Sequence, residues 1–421
     1  MKTIFILALA LFFTSNIYAQ NKVDLHYNIL DEAFKELKQN SQIDYLIDEF
    51  ENFVFIYPNS KQEDEILYRL SHLYSLKNQP SQQIIPLIKL NILHGNSPLR
   101  KRSIEIIDSL VTFSVDFTLS EQSEKTLQQL SNIPVQENYR LAYLDYLSFI
   151  YSLDYRKMDE LFFGEISLYK KLFASFEEDM DAIIFWQANI YKVGKKHPAA
   201  IFNFDKVCKL YKKSRFVPQA LLELAILNRD YLNNINQTRD YLLEIINQYP
   251  DAAKTGDAQY ELAKLYDHNY KDTDEALKNY ELHVSAFPNN PNYSSSLMRI
   301  AAIYEMKENY IESINSYKRI VEKNHNEEAT FKALKIIIRL YEKKLNDNKL
   351  TAKTMILFAQ TFPQNEESLG FLFSAGKLYL EKIEDKIKAK EVFEIIIAQF
   401  PESTEAKEAA DILKKLSEAD K

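Results

Sequence analysis

Residues 249–288 read YPDAAKTGDAQYELAKLYDHNYKDTDEALKNYELHVSAFP, a segment opened and closed by an aromatic-proline step. That step recurs as Tyr249-Pro250, Phe287-Pro288, Phe362-Pro363 and Phe400-Pro401, evenly spaced except for one double interval between Phe287 and Phe362. A disguised step near Asn324 halves the double interval, which makes the unit roughly 38 residues long, a period that marks repeat arrays. Tyr266, Tyr304 and Tyr379 each follow an aromatic of the step at one fixed offset, Tyr341 holds the same phase, and upstream Tyr57-Pro58 supplies Tyr74. Recurrence of a ring at one phase in every unit points to stacked copies of a single building block.

Each unit reads as a pair of helices. Proline pushes the residue before it out of the α region, so the step is a joint, and Asn or Ser after it can cap the next helix. Apolar residues at helical spacing predict helices over 25–37 and 43–56, 63–76 and 81–93, 139–151 and 157–173, 179–193 and 198–211, 218–227 and 238–248. Four further beats follow, and 405–416 closes the chain. Between 95 and 135 the beat blurs, with one weaker pair over 99–110 and 120–130. Three residues before the phase tyrosine stands a small residue in most copies: Ser71, Ala225, Ala263, Ala301, Gly376. A second small residue, Ala200, Ala276, Ser313 or Ala389, is followed four residues later by Phe204, Tyr280, Tyr317 or Phe393. Small side chains let paired helices approach while the rings fill the space beside them. On this register Tyr304→Ala is expected to cost about 3–5 kcal/mol.

Length and composition agree. A chain of 421 residues exceeds a single core, and 6 Gly with 12 Pro leave little for β-turns or phosphate loops. With 46% hydrophobic residues it is not a disordered polymer, and a formal charge of −8 argues against a general nucleic-acid footprint. At the N-terminus, Lys2, the apolar run Ile4–Phe13 and the small-residue stop Ile17-Tyr18-Ala19 read as a cleaved export leader over 1–19. Ten apolar residues span about 15 Å, half a bilayer core, so an anchor is the weaker reading. No cysteine lies near the cleavage point to take a lipid, and the sole cysteine, Cys208, reads as a half-buried packing thiol.

The order small, Tyr, then Ala, aromatic and finally Pro resembles the tetratricopeptide repeat, in the lengthened form whose units end in Tyr-Pro-Asp or Phe-Pro-Asn. The likeness is good over 179–400 and 43–93; it departs in lacking the tryptophan that often opens the first helix, Trp186 lying elsewhere in phase. It implies an all-α, right-handed superhelical solenoid of helix-turn-helix repeats. The expected organisation is a signal peptide over 1–19, N-terminal repeats over 20–133 that are degenerate after 95, and a C-terminal solenoid over 134–421 with a capping helix at 403–417. It also implies an exported, non-enzymatic adaptor of the bacterial envelope, similar to periplasmic members of outer-membrane assembly and of the Tol-Pal constriction machinery, and periplasmic, outer-membrane-associated or secreted. Protein or peptide partners are expected, without nucleic acid, small-molecule substrate, cofactor or transmembrane helix. A different class, a peptidoglycan- or carbohydrate-associated binding subunit or enzyme, rests on the aromatic-rich stretch 139–176.

No catalytic residue is nominated. Phosphate loops, GxSxG and HExxH are absent, and the seven histidines lack i, i+4 spacing for zinc. The acidic loop 267–275 lacks the central glycine of a calcium loop and reads as a turn, with Thr273 as cap of the following helix. The candidate partner-binding face is basic: Lys332, Lys335 and Arg339 in one unit, Phe373 and Lys377 in the next, and Tyr260, Lys264 and Met298 in the preceding ones. A groove of cations among aromatic and Met side chains would receive an acidic or C-terminal carboxylate segment; the bland alternative is solvated lysines on an amphipathic helix.

Overall fold

A computed structural model describes residues 22–37, 41–113, 121–153, 159–323 and 327–419. Among them are 21 helices and no strand, so the fold is all-α, a solenoid of helix-turn-helix repeats. The leader over 1–19 and the joint at Asn324 lie outside the described residues. No helix among the described residues is long and apolar enough to cross a membrane.

The chain divides into two compact units, residues 1–203 and 204–421. The first contains α1 (22–35), α2 (Ser41–Ile56), α3 (Glu63–Leu76), α4 (Pro80–Leu93), α5 (Arg100–Phe113), α6 (Glu121–Gln128), α7 (Tyr139–Ser152), α8 (Asp159–Leu172) and α9 (Met180–Val193). The division falls inside α10 (His197–Leu210). The second continues with α11 (Val217–Asp230), α12 (Ile235–Gln248), α13 (Thr255–Lys264), α14 (Thr273–Ala286), α15 (Tyr293–Met306) and α16 (Tyr310–Lys323). It ends with α17 (Glu327–Lys343), α18 (Asn348–Thr361), α19 (Glu366–Glu381), α20 (Lys386–Gln399) and α21 (Thr404–Ala419).

The turn inside each pair carries a signal that the aromatic-proline beat does not report. Lys195, Asn233, Lys271, Glu308, Asn346 and Glu384 all have positive φ, between 48° and 60°, and follow one another on the same beat as the joints. No glycine has positive φ, so ordinary side chains accept the left-handed conformation that closes these helices. The next residue then caps the second helix. Asn234, Asp272, Asp347 and Asp385 accept the N–H of Gln237, Glu275, Leu350 and Lys388 at 2.8–3.1 Å. The cap of α14 is therefore Asp272 and not Thr273, because the carboxylate one residue earlier reaches the N–H three residues on. At the joints between pairs, Tyr249, Phe287, Phe362 and Phe400 end their helices at φ near −124° to −130°. The following proline enforces that departure from the helix.

The small-aromatic register packs as expected on one helix and only partly on the other. Ala276, Ser313 and Ala389 are fully buried, as are Tyr280 and Phe393, with Tyr317 3% exposed. Of the phase tyrosines, Tyr341 and Tyr379 are buried, whereas Tyr74, Tyr266 and Tyr304 are half-buried. For two of these the reason is a polar task. The Tyr304 hydroxyl donates to Glu281 Oε1 at 2.8 Å on the preceding helix, and the Tyr74 hydroxyl donates to Glu51. Three residues further, Lys307 pairs with Asp274 and Lys77 with Asp44, the same pair of contacts in each unit. The cost of about 3–5 kcal/mol expected for Tyr304→Ala therefore belongs to the buried positions instead.

Candidate functional site

In the second unit α11, α13, α15, α17, α19 and α21 are the first helices of successive pairs. Ion pairs join each to the next. Arg229 of α11 pairs with Glu261 of α13. Arg299 of α15 reaches back to Asp267, just after α13, with Nε and Nη2 each 2.8 Å from a carboxylate oxygen. Arg339 of α17 reaches back to Glu305 of α15, Nη2 lying 2.9 Å from both oxygens. Lys335 of α17 meets Glu367 of α19 at 2.8 Å, and Lys377 of α19 meets Glu408 of α21 at 2.9 Å. Partners stand one repeat unit apart less one to two helical turns, because a long side chain leans along its helix before crossing to its neighbour.

Three of the eight nominated residues belong to this row. Lys335, Arg339 and Lys377 are rungs of it. Lys264 bonds Glu261 at 2.8 Å and Lys332 pairs with Glu328, each within its own helix. Tyr260, Met298 and Phe373 are half-buried. The ammonium groups also lie over rings: Lys264 over Tyr260 at 5.3 Å, Lys335 over Phe331 at 5.2 Å and Lys377 over Phe373 at 4.5 Å. Hence the face is charge-balanced rather than simply basic. The side chains of Lys335, Arg339, Glu367, Lys377 and Glu408 keep 37–55% exposure, so water and a partner can reach them. Pairs of this exposure contribute about 0–1 kcal/mol each.

Sequence reasoning missed the carboxylate half of the row, Glu261, Asp267, Glu305, Glu367 and Glu408, with the cations Arg229 and Arg299, and also Phe331. An opposite charge just under one unit along and an aromatic four residues before a lysine were the signals available. The acidic loop at 267–275 is accounted for by one pairing across helices and one cap: Asp267 is held by Arg299 and Asp272 caps α14. Cys208 is half-buried, and burial pushes its thiol up to about 12, leaving it protonated and inert. Within the aromatic stretch 139–176, Tyr143, Tyr146 and Tyr169 are fully buried and Phe162 is 2% exposed, whereas Phe176 is 39% exposed.

In the first unit buried charge takes a different form. Lys89 Nζ lies 2.8 and 2.9 Å from the two oxygens of Glu165, which also accepts the hydroxyl of Tyr143. Nearby Glu63, fully buried, accepts Asn59 N–H at 2.6 Å and the Tyr139 hydroxyl at 3.1 Å, with His94 Nε2 3.1 Å away. Such pairs hold only while every partner is present, since a lone buried charge is costly.

The sequence matches no curated protein. A family model described as a tetratricopeptide repeat matches residues 219–252, which span α11 and α12. Among solved structures the chain is similar to the apo form of RapI, at 12% identity over 93% of this chain and 98% of that one, with a TM-score of 0.42. The C-terminal part of a TPR repeat-containing protein from Cytophaga hutchinsonii matches at 15% identity, 63% and 98% coverage and a TM-score of 0.39. Pseudomonas aeruginosa pilF does so at 14% identity, 64% and 95% coverage and 0.34. Stacked helix pairs of this kind act as scaffolds whose extended surfaces hold protein partners. Residues 219–252 thus match the tetratricopeptide-repeat model, and the same left-handed turn recurs on the repeat beat from Lys195 to Glu384.

Proposed function

We propose that the protein is a non-enzymatic adaptor, exported to the bacterial envelope by residues 1–19, that holds a partner protein along the first-helix face of its second unit. The observation that carries this is the row of partly exposed, exchangeable ion pairs Arg339–Glu305, Lys335–Glu367 and Lys377–Glu408, with aromatic rings beneath two of its cations. A partner carboxylate can replace Glu367 on Lys335 or Glu305 on Arg339 at little net cost, because one exposed pair is exchanged for another. Tyr260, Met298 and Phe373 supply the apolar contact that such an exchange lacks.

Crosslinking in cells from positions 335 and 373 tests this, with the captured species identified by mass. The adaptor reading expects one dominant envelope protein, lost when Lys335→Glu and Arg339→Glu are combined and weakened by salt. Capture mapped wholly to the second helices, or co-sedimentation with cell-wall polymer in place of protein, overturns it.

A further inference from the structure

Four joints of the second unit close through one kind of hydrogen-bonded turn. The N–H groups of Ala252, Asn290, Asn365 and Ser403 donate to the carbonyls of Tyr249, Phe287, Phe362 and Phe400 at 2.9–3.1 Å. The corner residues between donor and acceptor are Pro250-Asp251, Pro288-Asn289, Pro363-Gln364 and Pro401-Glu402. The joint between α10 and α11 closes the same way, Ser214 N–H donating to the Tyr211 carbonyl at 2.8 Å, but its corners are Lys212 and Lys213. Proline suits the first corner of such a turn and most residues fit the second, so the backbone does not call for a lysine pair. The turn is also tied to α11, where Phe216 N–H donates to Ser214 Oγ at 3.1 Å.

The charge here is unbalanced. Residues 205–215 hold five cations, Lys206, Lys209, Lys212, Lys213 and Arg215, against one carboxylate, Asp205, in a chain whose formal charge is −8. Asp205 is taken by Lys209 at 2.8 Å. Among the described residues no carboxylate pairs with Lys212, Lys213 or Arg215, and all three are exposed. The cations of the first-helix row, by contrast, are each matched by a carboxylate about one unit away. Leu210 stands at the end of α10 between Lys209 and Lys212 and is 65% exposed.

Unmatched positive charge on an acidic chain selects an anionic occupant. Lysine is a compact charge on a flexible stem and suits a mobile layer of headgroups, whereas the fork of arginine suits a fixed carboxylate. An exposed leucine among lysines fits an interface where the apolar side chain enters the acyl boundary and the ammonium groups stay with the phosphates. We propose that the α10–α11 joint docks the protein on an anionic phospholipid surface, with Lys212, Lys213 and Arg215 meeting lipid phosphates and Leu210 entering the acyl boundary. This surface uses none of the residues of the first-helix row and does not depend on the adaptor reading.

Co-sedimentation of the whole chain with vesicles tests the proposal, using phosphatidylcholine alone and an equal mixture of phosphatidylcholine and phosphatidylglycerol. The mixed vesicles are expected to bind at least about tenfold tighter, an advantage lost at high salt. Lys212→Gln with Lys213→Gln removes two charges and should weaken that binding about tenfold or more. Its melting temperature should not change, because Asn289 and Gln364 occupy the second corner of the same turn without charge. Leu210→Ser should weaken vesicle binding about threefold or more and leave binding to polyglutamate unchanged. Lys349→Gln with Lys353→Gln makes the same change of net charge at exposed residues of α18, and should alter binding by less than about twofold. Equal binding to both vesicles, no binding to either, equal losses in the two lysine pairs, or vesicle binding indifferent to Leu210→Ser overturns the proposal. Capture of polyglutamate in preference to the mixed vesicles also overturns it and assigns the joint to an acidic protein segment.

Discussion

Gly376 faces Phe393 so closely that a Cβ built on the glycine would lie 2.6 Å from ring carbon Cε1. The two residues belong to α19 and α20 of one pair, and Phe393 is fully buried. In other pairs alanine or serine stands at the same phase; here the ring occupies the room that a methyl group would take. Gly376→Ala is expected to lower stability by about 1–3 kcal/mol through overpacking, although alanine is the better helix former. Denaturant melts check this, and Phe393→Leu in the same chain should recover part of the loss.

The phase tyrosines separate by burial. Tyr379, 2% exposed, should cost about 3–5 kcal/mol on truncation to alanine, whereas half-buried Tyr304 should cost about 1–2 kcal/mol. Paired melts of the two variants decide; equal losses would contradict the packing described.

Lys271 closes the first helix of its pair at φ 58°. A β-branched side chain tolerates that conformation poorly, so Lys271→Val is expected to destabilise by about 1–2 kcal/mol while Lys271→Gly is neutral or stabilising. Chemical denaturation of the two variants checks it, and the same contrast should appear at Glu308, at φ 57°.

His283 is fully buried, with Nδ1 2.8 Å from Ser296 Oγ, and burial holds its pKa below the ordinary 6.5. The folded state therefore binds the proton less readily than the unfolded chain does. This contribution is fully present above pH 6.5 and is lost as pH falls from 6.5 toward the folded value. Denaturation on either side of that pH should show a smaller pH-dependent loss in His283→Gln than in the parent.

A double-mutant cycle on Lys335 and Glu367 should give a coupling below about 1 kcal/mol. Loss of partner capture in Lys335→Glu with Arg339→Glu would then report on the surface and not on unfolding, which circular dichroism of the variant verifies.

The period, the helix pairs and their joints were legible in the sequence, because local rules decide them. Proline bars the α region from Tyr249, Phe287, Phe362 and Phe400, and helical spacing marks apolar faces wherever it occurs. The left-handed turns were harder to read, since Lys195, Lys271, Glu308 and Glu384 occupy a conformation that composition assigns to glycine; the helices on either side hold them there. The cations of the candidate face were visible one by one. Their pairing was not, because Arg339 with Glu305 and Lys335 with Glu367 become neighbours only when consecutive first helices lie side by side. The buried charge of the first unit lay furthest from the sequence: Lys89 and Glu165 are far apart along the chain, and no local pattern reports that the fold brings them together in a buried pair. Chain-local forces thus determined the repeat, while contacts between helix pairs decided which charges are spent and which remain for a partner.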